Sequence, residues 1–171
     1  TGVCLLYMGG PVDLDAVIRP GPPIRVDLRR LKARGEGVPL ATTRSASVVV
    51  NGAKVDVSKL RLATLGGHVR VDGRFDPKGP LDLKVGVAGL QLEGVAGFAP
   101  GLGLSGALDL NATLRGTRGK PRARAAIDLR ELEASGARIE ALALKTTVAG
   151  TPKSPVLDFE VEATRISHPE G

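Results

Sequence analysis

The side chains that could do nucleophilic or acid–base chemistry are few and widely spaced in this sequence. The chain of 171 residues has one cysteine, Cys4, and two histidines, His68 and His168. A nucleophile needs a base beside it, and a zinc site needs clustered cysteine, histidine or carboxylate ligands. His68 alternates with Arg70 and Asp72, which predicts an exposed position on a strand. These residues predict neither a catalytic pair nor a metal site.

The carboxylates and the glycine-rich stretch also lack a catalytic pattern. Asp13 with Asp15, and Glu131 with Glu133, share a strand face because side chains alternate along a strand. Solvated positions explain both pairs. The glycines between positions 94 and 103 do not match a phosphate-binding loop or a dinucleotide fingerprint. We therefore predict a protein that is not an enzyme and that has no cofactor.

The overall composition is basic and poor in aromatic residues. The net charge is +6, and the chain has three Phe, one Tyr and no Trp. Proteins that bind single-stranded nucleic acid stack bases on aromatic side chains, so nucleic-acid binding is not expected. Because aromatic residues are scarce, any interior must consist of Leu, Val, Ile and Ala. That favours a thin, smooth apolar surface over a thick core.

The stretch 103–150 shows the clearest alternation of apolar and polar residues. Leu108, Leu110 and Leu114 share one parity, and Ile127 and Leu129 continue the pattern after a turn. Period-two alternation is typical of a strand with one buried face. We predict strands over about 104–115, 122–129 and 137–148. The first turn, 116–121, should break the ladder because proline has no N–H to donate.

The rest of the chain predicts further strands, to a total of about ten. Alternation marks strands near 24–29, 68–75, 81–87 and 155–164, and a hairpin at 47–57. In that hairpin Asn51-Gly52 predicts a type I′ turn, and another strand begins at Leu60. The prolines in 20–23 break the chain, while 31–43 and 88–103 are expected to be loops or irregular.

These strands predict an all-β fold, a long antiparallel meander. A sheet that is polar on one side must cover its other side with a second sheet, a helix or a ligand. The sequence shows no amphipathic helix of useful length. Two alternatives remain: an open trough with an apolar interior, or a closed β-sandwich or β-solenoid segment. We expect weakly patterned strands in 1–45 and the trough segment in 46–171, within one continuous domain.

Two motifs resemble the AsmA-like and TamB-like proteins of Gram-negative envelopes. They are Gly79-Pro80-Leu81-Asp82-Leu83, and Leu104 to Thr117 followed by Pro121. The resemblance covers residues 65–165. It implies an open trough (a β-taco) without catalytic residues, in a periplasm-spanning protein that conducts phospholipids between the inner and outer membranes. It also implies an inner-membrane anchor and an outer-membrane β-barrel partner for the full-length protein. The sequence begins with Thr1 and not with methionine, which suggests that it is a segment of a longer protein. We expect this segment itself to be soluble.

Under this hypothesis, the apolar strand faces line a groove for phospholipid acyl chains. We expect the lining to consist of Leu81, Leu83, Val85, Val87, Leu108, Leu110, Leu114, Ile127, Leu129, Leu142, Leu144, Leu157, Phe159 and Val161. The alternative function is a structural or adhesive β-rich module of an extracellular protein, in which the same residues form an ordinary core. The shortage of aromatic residues favours the groove.

Overall fold

A computed structural model describes residues 12–35, 38–94, 103–134, 137–151 and 154–167. The described residues form eleven β-strands and one short 3₁₀ turn at 92–94. The strands are β1 (Val12–Arg19), β2 (Ile24–Gly35), β3 (Val38–Thr42), β4 (Ala46–Asn51), β5 (Lys54–Thr64), β6 (Gly67–Phe75), β7 (Pro80–Gln91), β8 (Ser105–Thr117), β9 (Lys120–Ala134), β10 (Ala137–Thr151) and β11 (Ser154–Ser167).

All eleven strands belong to one antiparallel sheet. Each strand pairs with the next along the chain, except that β3 and β4 lie one after the other between β2 and β5. The sheet is therefore a meander, and it forms an open trough with an apolar interior. The predicted fold class is confirmed. Residues 12–45 contribute β1, β2 and β3 to the same sheet as the later strands.

The hairpin turns are tight, and two of them differ in detail from the sequence predictions. Between β4 and β5 the turn residues are Gly52 and Ala53, and Gly52 has a φ of 59°. A positive φ at the first turn position is typical of a type II′ turn, so the predicted type I′ turn at Asn51-Gly52 is wrong. Between β8 and β9 the ladder runs to Thr117 and Lys120, so Pro121 lies inside β9 and does not break it.

Register shifts explain where the predicted strand boundaries are wrong. Residues 31–43, expected to be a loop or an irregular edge, instead contain the end of β2 and all of β3. β5 runs unbroken through Leu60, where a new strand was expected. β7 extends to Gln91, into the stretch expected to be irregular. The register shifts at three points. The β1–β2 pairing shifts between Asp15 and Ala16, the β5–β6 pairing shifts between 57 and 60, and the β7–β8 pairing shifts between 87 and 90.

Each shift inserts an extra residue that moves the apolar side chains from one sequence parity to the other. In β2 the apolar face passes from Leu28 to Leu31, and in β5 it passes from Val57 to Leu60. A strict period of two is lost at these points although the strand continues. Residues 95–102 of the stretch expected to be irregular lie outside the described residues.

Few side chains are buried in this fold. Among the described residues, the buried apolar side chains are Ala33, Ala46, Leu81 and Leu92, and no large side chain is fully buried. The accessible surface is 11624 Å², whereas a compact monomer of this length exposes about 8,000 Å². The excess is what a single sheet with an uncovered face requires. No helix in the described part of the chain is long and apolar enough to cross a membrane.

Candidate apolar groove

An unbroken row of small and apolar residues crosses the sheet from β1 to β11. We call it row A. Its members are cross-strand partners, each the neighbour of the next: Ile18, Val26, Val48, Val57, Gly73, Leu83, Leu114, Ala123, Val148 and Leu157. Because directly opposite residues in an antiparallel pair point to the same side, all these residues share one face of the sheet.

Three shorter rows lie parallel to row A on the same face. Row B consists of Leu60, Val71, Val85, Ala112, Ala125, Thr146 and Phe159. Row C consists of Leu62, Val69, Val87, Leu110, Ile127, Leu144 and Val161. Row D consists of Leu90, Leu108, Leu129, Leu142 and Ala163. Rows A to D together are the apolar face.

The structure brings all fourteen predicted lining residues to this face. Thirteen of them are members of rows A to D, and Leu81 precedes Leu83 by two residues on the same strand. Their exposure rises toward the edge of the sheet. Leu81 is buried and the lining residues of β8, β9 and β10 are half-buried, but Leu157, Phe159 and Val161 on β11 are 62%, 77% and 56% exposed.

The sequence prediction missed the part of the apolar face that β1, β2 and β4 provide. Ile18, Val26 and Val48 extend row A across these strands. These strands also alternate apolar and polar residues, as β8 does. The alternation is interrupted by the register shift in β2 and by the short connection between β3 and β4. Ala112, Ala123 and other alanines of the rows were also missed, since alanine carries a weaker apolar signal.

Thr146 is the one polar side chain in rows A to D. Its hydroxyl donates a hydrogen bond of 3.2 Å to the backbone carbonyl of Asp158 on β11. The hydroxyl is therefore satisfied within the sheet and needs no partner from outside. The apolar face consequently carries neither a charge nor an unsatisfied polar group along these four rows.

The opposite face of the sheet is polar, and cross-strand ion pairs connect its strands. Arg74 Nε lies 2.5 Å from Asp56 Oδ1, and Arg115 Nε lies 3.6 Å from Asp82 Oδ1. Arg70 crosses β7 above Gly86 and donates to Asn111 Oδ1 on β8 at 2.7 Å. Exposed pairs of this kind contribute little stability each, about 0–1 kcal/mol. Their charged groups lie on the face that is turned to water.

Asp72 stabilises the irregular point in β5. Its carboxylate accepts hydrogen bonds of 2.6 Å from the backbone N–H of Lys59 and from the guanidinium of Arg61. Partial burial raises the pKa of Asp72, but these two donors outweigh it and hold the pKa below its usual value. Lys59 has a φ of 61°, so a charged acceptor satisfies the backbone N–H at a strained position.

A second carboxylate, Asp76, joins two turns at one rim of the trough. Its side chain is buried, and its Oδ2 lies 2.9 Å from Lys54 Nζ in the β4–β5 hairpin. Its Oδ1 accepts a 3.0 Å hydrogen bond from the N–H of Lys78. Together these interactions, the Lys54 hydrogen bond first, lower the pKa of Asp76.

The apolar face is large enough to need a cover. Rows A and D are six residues apart along β8, from Leu114 to Leu108, or roughly 20 Å at about 3.3 Å per residue. Over the seven strands that rows B and C cross, the width is about 29 Å at ~4.8 Å per strand. The product, roughly 600 Å², is at the top of the range of apolar patches on ordinary monomers, and row A extends it further.

A separate concave pocket of about 700 Å³ lies where β1, β2 and β3 meet the β5–β6 turn. Ala33, Leu40 and Leu65 line it together with Lys32 and His68. Neither this pocket nor any part of it was predicted, and it contains none of the predicted lining residues. Within the described ranges, no group of three or more His, Cys, Asp or Glu side chains could hold a metal ion. Cys4 and His168 lie outside those ranges.

No family model, curated protein or solved structure matches this chain.

Proposed function

We propose that this chain is a non-enzymatic segment of a protein that conducts phospholipids, and that acyl chains lie on the apolar face. The observation that carries the proposal is row A, an apolar row that crosses ten of the eleven described strands, from β1 to β11, without a charge. A sheet with one open apolar face needs a covering layer. In the described part of the chain, neither a second sheet nor a long helix supplies it.

The dimensions of the apolar face suit acyl chains. Half of a bilayer's hydrocarbon core is about 15 Å thick, which approximates the length of one acyl chain layer. The face is roughly 20 Å along the strands and about 43 Å along row A at ~4.8 Å per strand. Acyl chains can therefore lie within the trough while the headgroup remains at a polar rim.

The chemistry of the face favours movement over tight capture. Each CH₂ group taken out of water gains roughly 0.8 kcal/mol. Since row A consists of Leu, Val, Ile, Ala and one glycine, a lipid that moves along it exchanges one apolar contact for another. No position offers a charge or an unsatisfied polar group that would hold the lipid. Transfer along the trough is then passive and involves no covalent step.

The cellular setting of the proposal comes from the sequence resemblance. The motifs at 79–83 and 104–121 resemble AsmA-like and TamB-like proteins, which would place the chain in the periplasm of a Gram-negative cell. On this basis we propose a segment of a bridge between inner and outer membranes, in a full-length protein with an inner-membrane anchor and an outer-membrane β-barrel partner. The alternative is a structural or adhesive module, which would bind no lipid.

A matched pair of variants tests the lipid site. Ile127 lies in the middle of row C, whereas its neighbour Ala126 lies on the polar face opposite Lys145. The wild-type chain should extract a fluorescent phospholipid from phosphatidylethanolamine–phosphatidylglycerol vesicles. Ile127→Glu should lose most of this activity because it places a carboxylate among acyl chains. Ala126→Glu should retain it.

Circular dichroism and the urea midpoint show whether both variants are folded. Ile127 is only half-buried, so a folded Ile127→Glu protein is expected. If folded Ile127→Glu extracts as much phospholipid as the wild type, the apolar face is not the lipid site. No extraction by the wild type would support the structural module instead.

A further inference from the structure

The hairpin that joins β8 to β9 carries a cluster of basic residues around its turn. Both strands are flanked within the sheet, β8 by β7 and β9 by β10. Between positions 113 and 125 the hairpin has five cations and no carboxylate, and all five side chains are exposed. We call this cluster the basic tip: Arg115, Arg118, Lys120, Arg122 and Arg124. It concentrates positive charge at one rim of the trough, inside the sheet and not at its edge.

Two arginines of the basic tip face each other across the strands. Arg115 on β8 is directly opposite Arg122 on β9, and like charges in that arrangement are destabilising. Arg124 follows two residues later on β9, so it lies on the same face as Arg122. The folded chain therefore holds like charges together at this point, and an anion bound between them would relieve the repulsion.

The carboxylates of this chain neutralise little of that charge. Among the described residues, the one ion pair of the basic tip joins Arg115 Nε to Asp82 Oδ1 at 3.6 Å, and both side chains are more than half exposed. Arg124 lies opposite Thr113 on one side and Thr147 on the other, and neither carries a charge. Four of the five cations thus have no carboxylate partner in the described part of the chain.

The neighbouring hairpins at the same rim use their cations within the fold. Lys54 of the β4–β5 hairpin lies 2.9 Å from the buried carboxylate of Asp76. Arg74, near the β6–β7 turn, lies 2.5 Å from Asp56. Compared with these hairpins, the basic tip has more cations and fewer carboxylates. Its charge is available to a partner outside the chain.

The opposite end of the same hairpin is acidic. In 103–112 and 126–134 the charged residues are four carboxylates and one arginine: Asp109, Asp128, Arg130, Glu131 and Glu133. The hairpin is therefore positive at its turn and negative at its other end. An extended anionic surface would be attracted to the turn and repelled from the other end, which fixes the direction from which it approaches.

The chemistry of the basic tip fits many phosphates presented side by side. Its exposed cations are spread over two strands and a turn, so they do not converge on a single small anion. Single-stranded nucleic acid is held by stacking of bases on aromatic side chains, and the stretch 103–134 has no Phe, Tyr or Trp. An anionic lipid surface needs exposed lysine and arginine and no stacking. Phospholipid headgroups are the phosphates that these residues match best.

We propose that the basic tip is a docking surface for an anionic phospholipid bilayer, whose headgroup phosphates bind its arginines and lysine. Docking holds the turn of the β8–β9 hairpin against the membrane and the acidic end away from it. Row A crosses this hairpin at Leu114 and Ala123, so docking also places one stretch of the apolar face beside the lipid. The argument depends on charge, and it holds whether or not acyl chains lie on that face.

Vesicle binding by the 171-residue chain tests the proposal. At physiological ionic strength the wild type should bind vesicles of equal parts phosphatidylglycerol and phosphatidylcholine, and it should not bind phosphatidylcholine alone. The double variant Arg122→Gln with Arg124→Gln should bind roughly thirtyfold more weakly, or about fivefold for each removed cation. Its urea midpoint should equal or exceed that of the wild type, because the variant loses a pair of like charges.

A second double variant with the same net charge is the control. Arg29 and Arg34 on β2 are exposed and have no ion pair within the described ranges, and β2 is five strands away from β8. Arg29→Gln with Arg34→Gln should weaken vesicle binding by no more than about twofold, because charges are largely screened beyond about 8 Å at this ionic strength. If both double variants weaken binding equally, net charge explains it and the basic tip is not the docking surface.

Two further outcomes separate this proposal from other accounts. If a single-stranded oligonucleotide binds more tightly than the vesicles at equal phosphate concentration, and the Arg122 and Arg124 double variant loses that binding, the partner is a nucleic acid and the proposal is overturned. Vesicle binding through the basic tip without phospholipid extraction would support docking and contradict the proposed function. Undiminished vesicle binding by the same double variant would overturn docking, whatever the chain extracts.

Discussion

Lys54 and Asp76 join two separate hairpins at one rim of the trough, with 2.9 Å between Nζ and Oδ2. Asp76 belongs to the β6–β7 turn and also accepts the N–H of Lys78. The side chain of Lys54 remains exposed, whereas that of Asp76 is buried. Loss of the Asp76 carboxylate would therefore remove the buried acceptor that Lys54 and the N–H of Lys78 share.

The first prediction concerns stability at acid pH. The pKa of Asp76 is lowered in the folded chain by the Lys54 hydrogen bond and by the N–H of Lys78. The pKa of Asp72 is also lowered, by Lys59 and Arg61. A carboxylate with a lowered pKa stabilises the fold fully above its unfolded pKa of about 3.9, and this contribution is lost as the pH falls through the folded pKa. The urea concentration at the unfolding midpoint should therefore be constant near neutral pH and should decrease when the pH is below about 4.

Asp76→Asn should lower the midpoint at neutral pH and flatten the decline at acid pH. Asp158→Asn is the control, because this exposed carboxylate lies opposite Thr147 and has no ion-pair partner among the described residues. It should leave the neutral-pH midpoint unchanged. If Asp76→Asn retains the midpoint of the wild type at both ends of the pH range, the rim interaction carries no stability.

The second prediction concerns Gly73, the one glycine in row A. Its φ is 141°, and a Cβ there would lie 2.0 Å from the carbonyl oxygen of Asp82 and 2.7 Å from the Cα of Leu83. Gly73→Ala must therefore move the β6–β7 backbone, at a cost of roughly 2 kcal/mol or more. Gly119→Ala is the control, since no atom lies within 4 Å of its added Cβ. Chemical denaturation measures the free energy of unfolding of both variants. Similar values for the two would contradict the close contact between Gly73 and the β7 backbone.

The third prediction concerns the extra residue in β5. Lys59 has a φ of 61°, a conformation that glycine adopts without steric cost. Lys59→Gly should raise the free energy of unfolding by about 0.5–1 kcal/mol, because relief of strain exceeds the added flexibility of the unfolded chain. Lys59→Ala keeps a Cβ and should give no such gain. An equal gain from both would assign the effect to the removed lysine side chain and not to the backbone.

The sequence was sufficient to predict the fold class and the central strands. From Leu108 to Leu114 and from Ala123 to Leu129 the apolar residues keep one parity, and the structure pairs them in that register. All fourteen predicted lining residues lie on one face, although their contact with lipid remains a prediction.

The errors have a common physical cause. Period-two alternation identifies a strand only while each residue has one partner, and an extra residue exchanges the two faces. The stretch from Leu28 to Leu31, and those after Val57 and Val87, contain such exchanges. Sequence periodicity treats the exchange as the end of a strand, whereas the backbone hydrogen bonds continue on both sides of it. Whether the strand continues through the extra residue depends on its pairing with a neighbouring strand, which the sequence does not show.

The central claim is that phospholipid covers the apolar face, and native mass spectrometry of the purified chain tests it most directly. Organic extraction of the same sample identifies whatever is bound. We expect phospholipid at a reproducible stoichiometry in the wild type and in Ala126→Glu, and its loss in Ile127→Glu. A monomeric wild-type chain that carries no lipid and does not bind a hydrophobic dye would contradict the claim, because its apolar face would then already be covered.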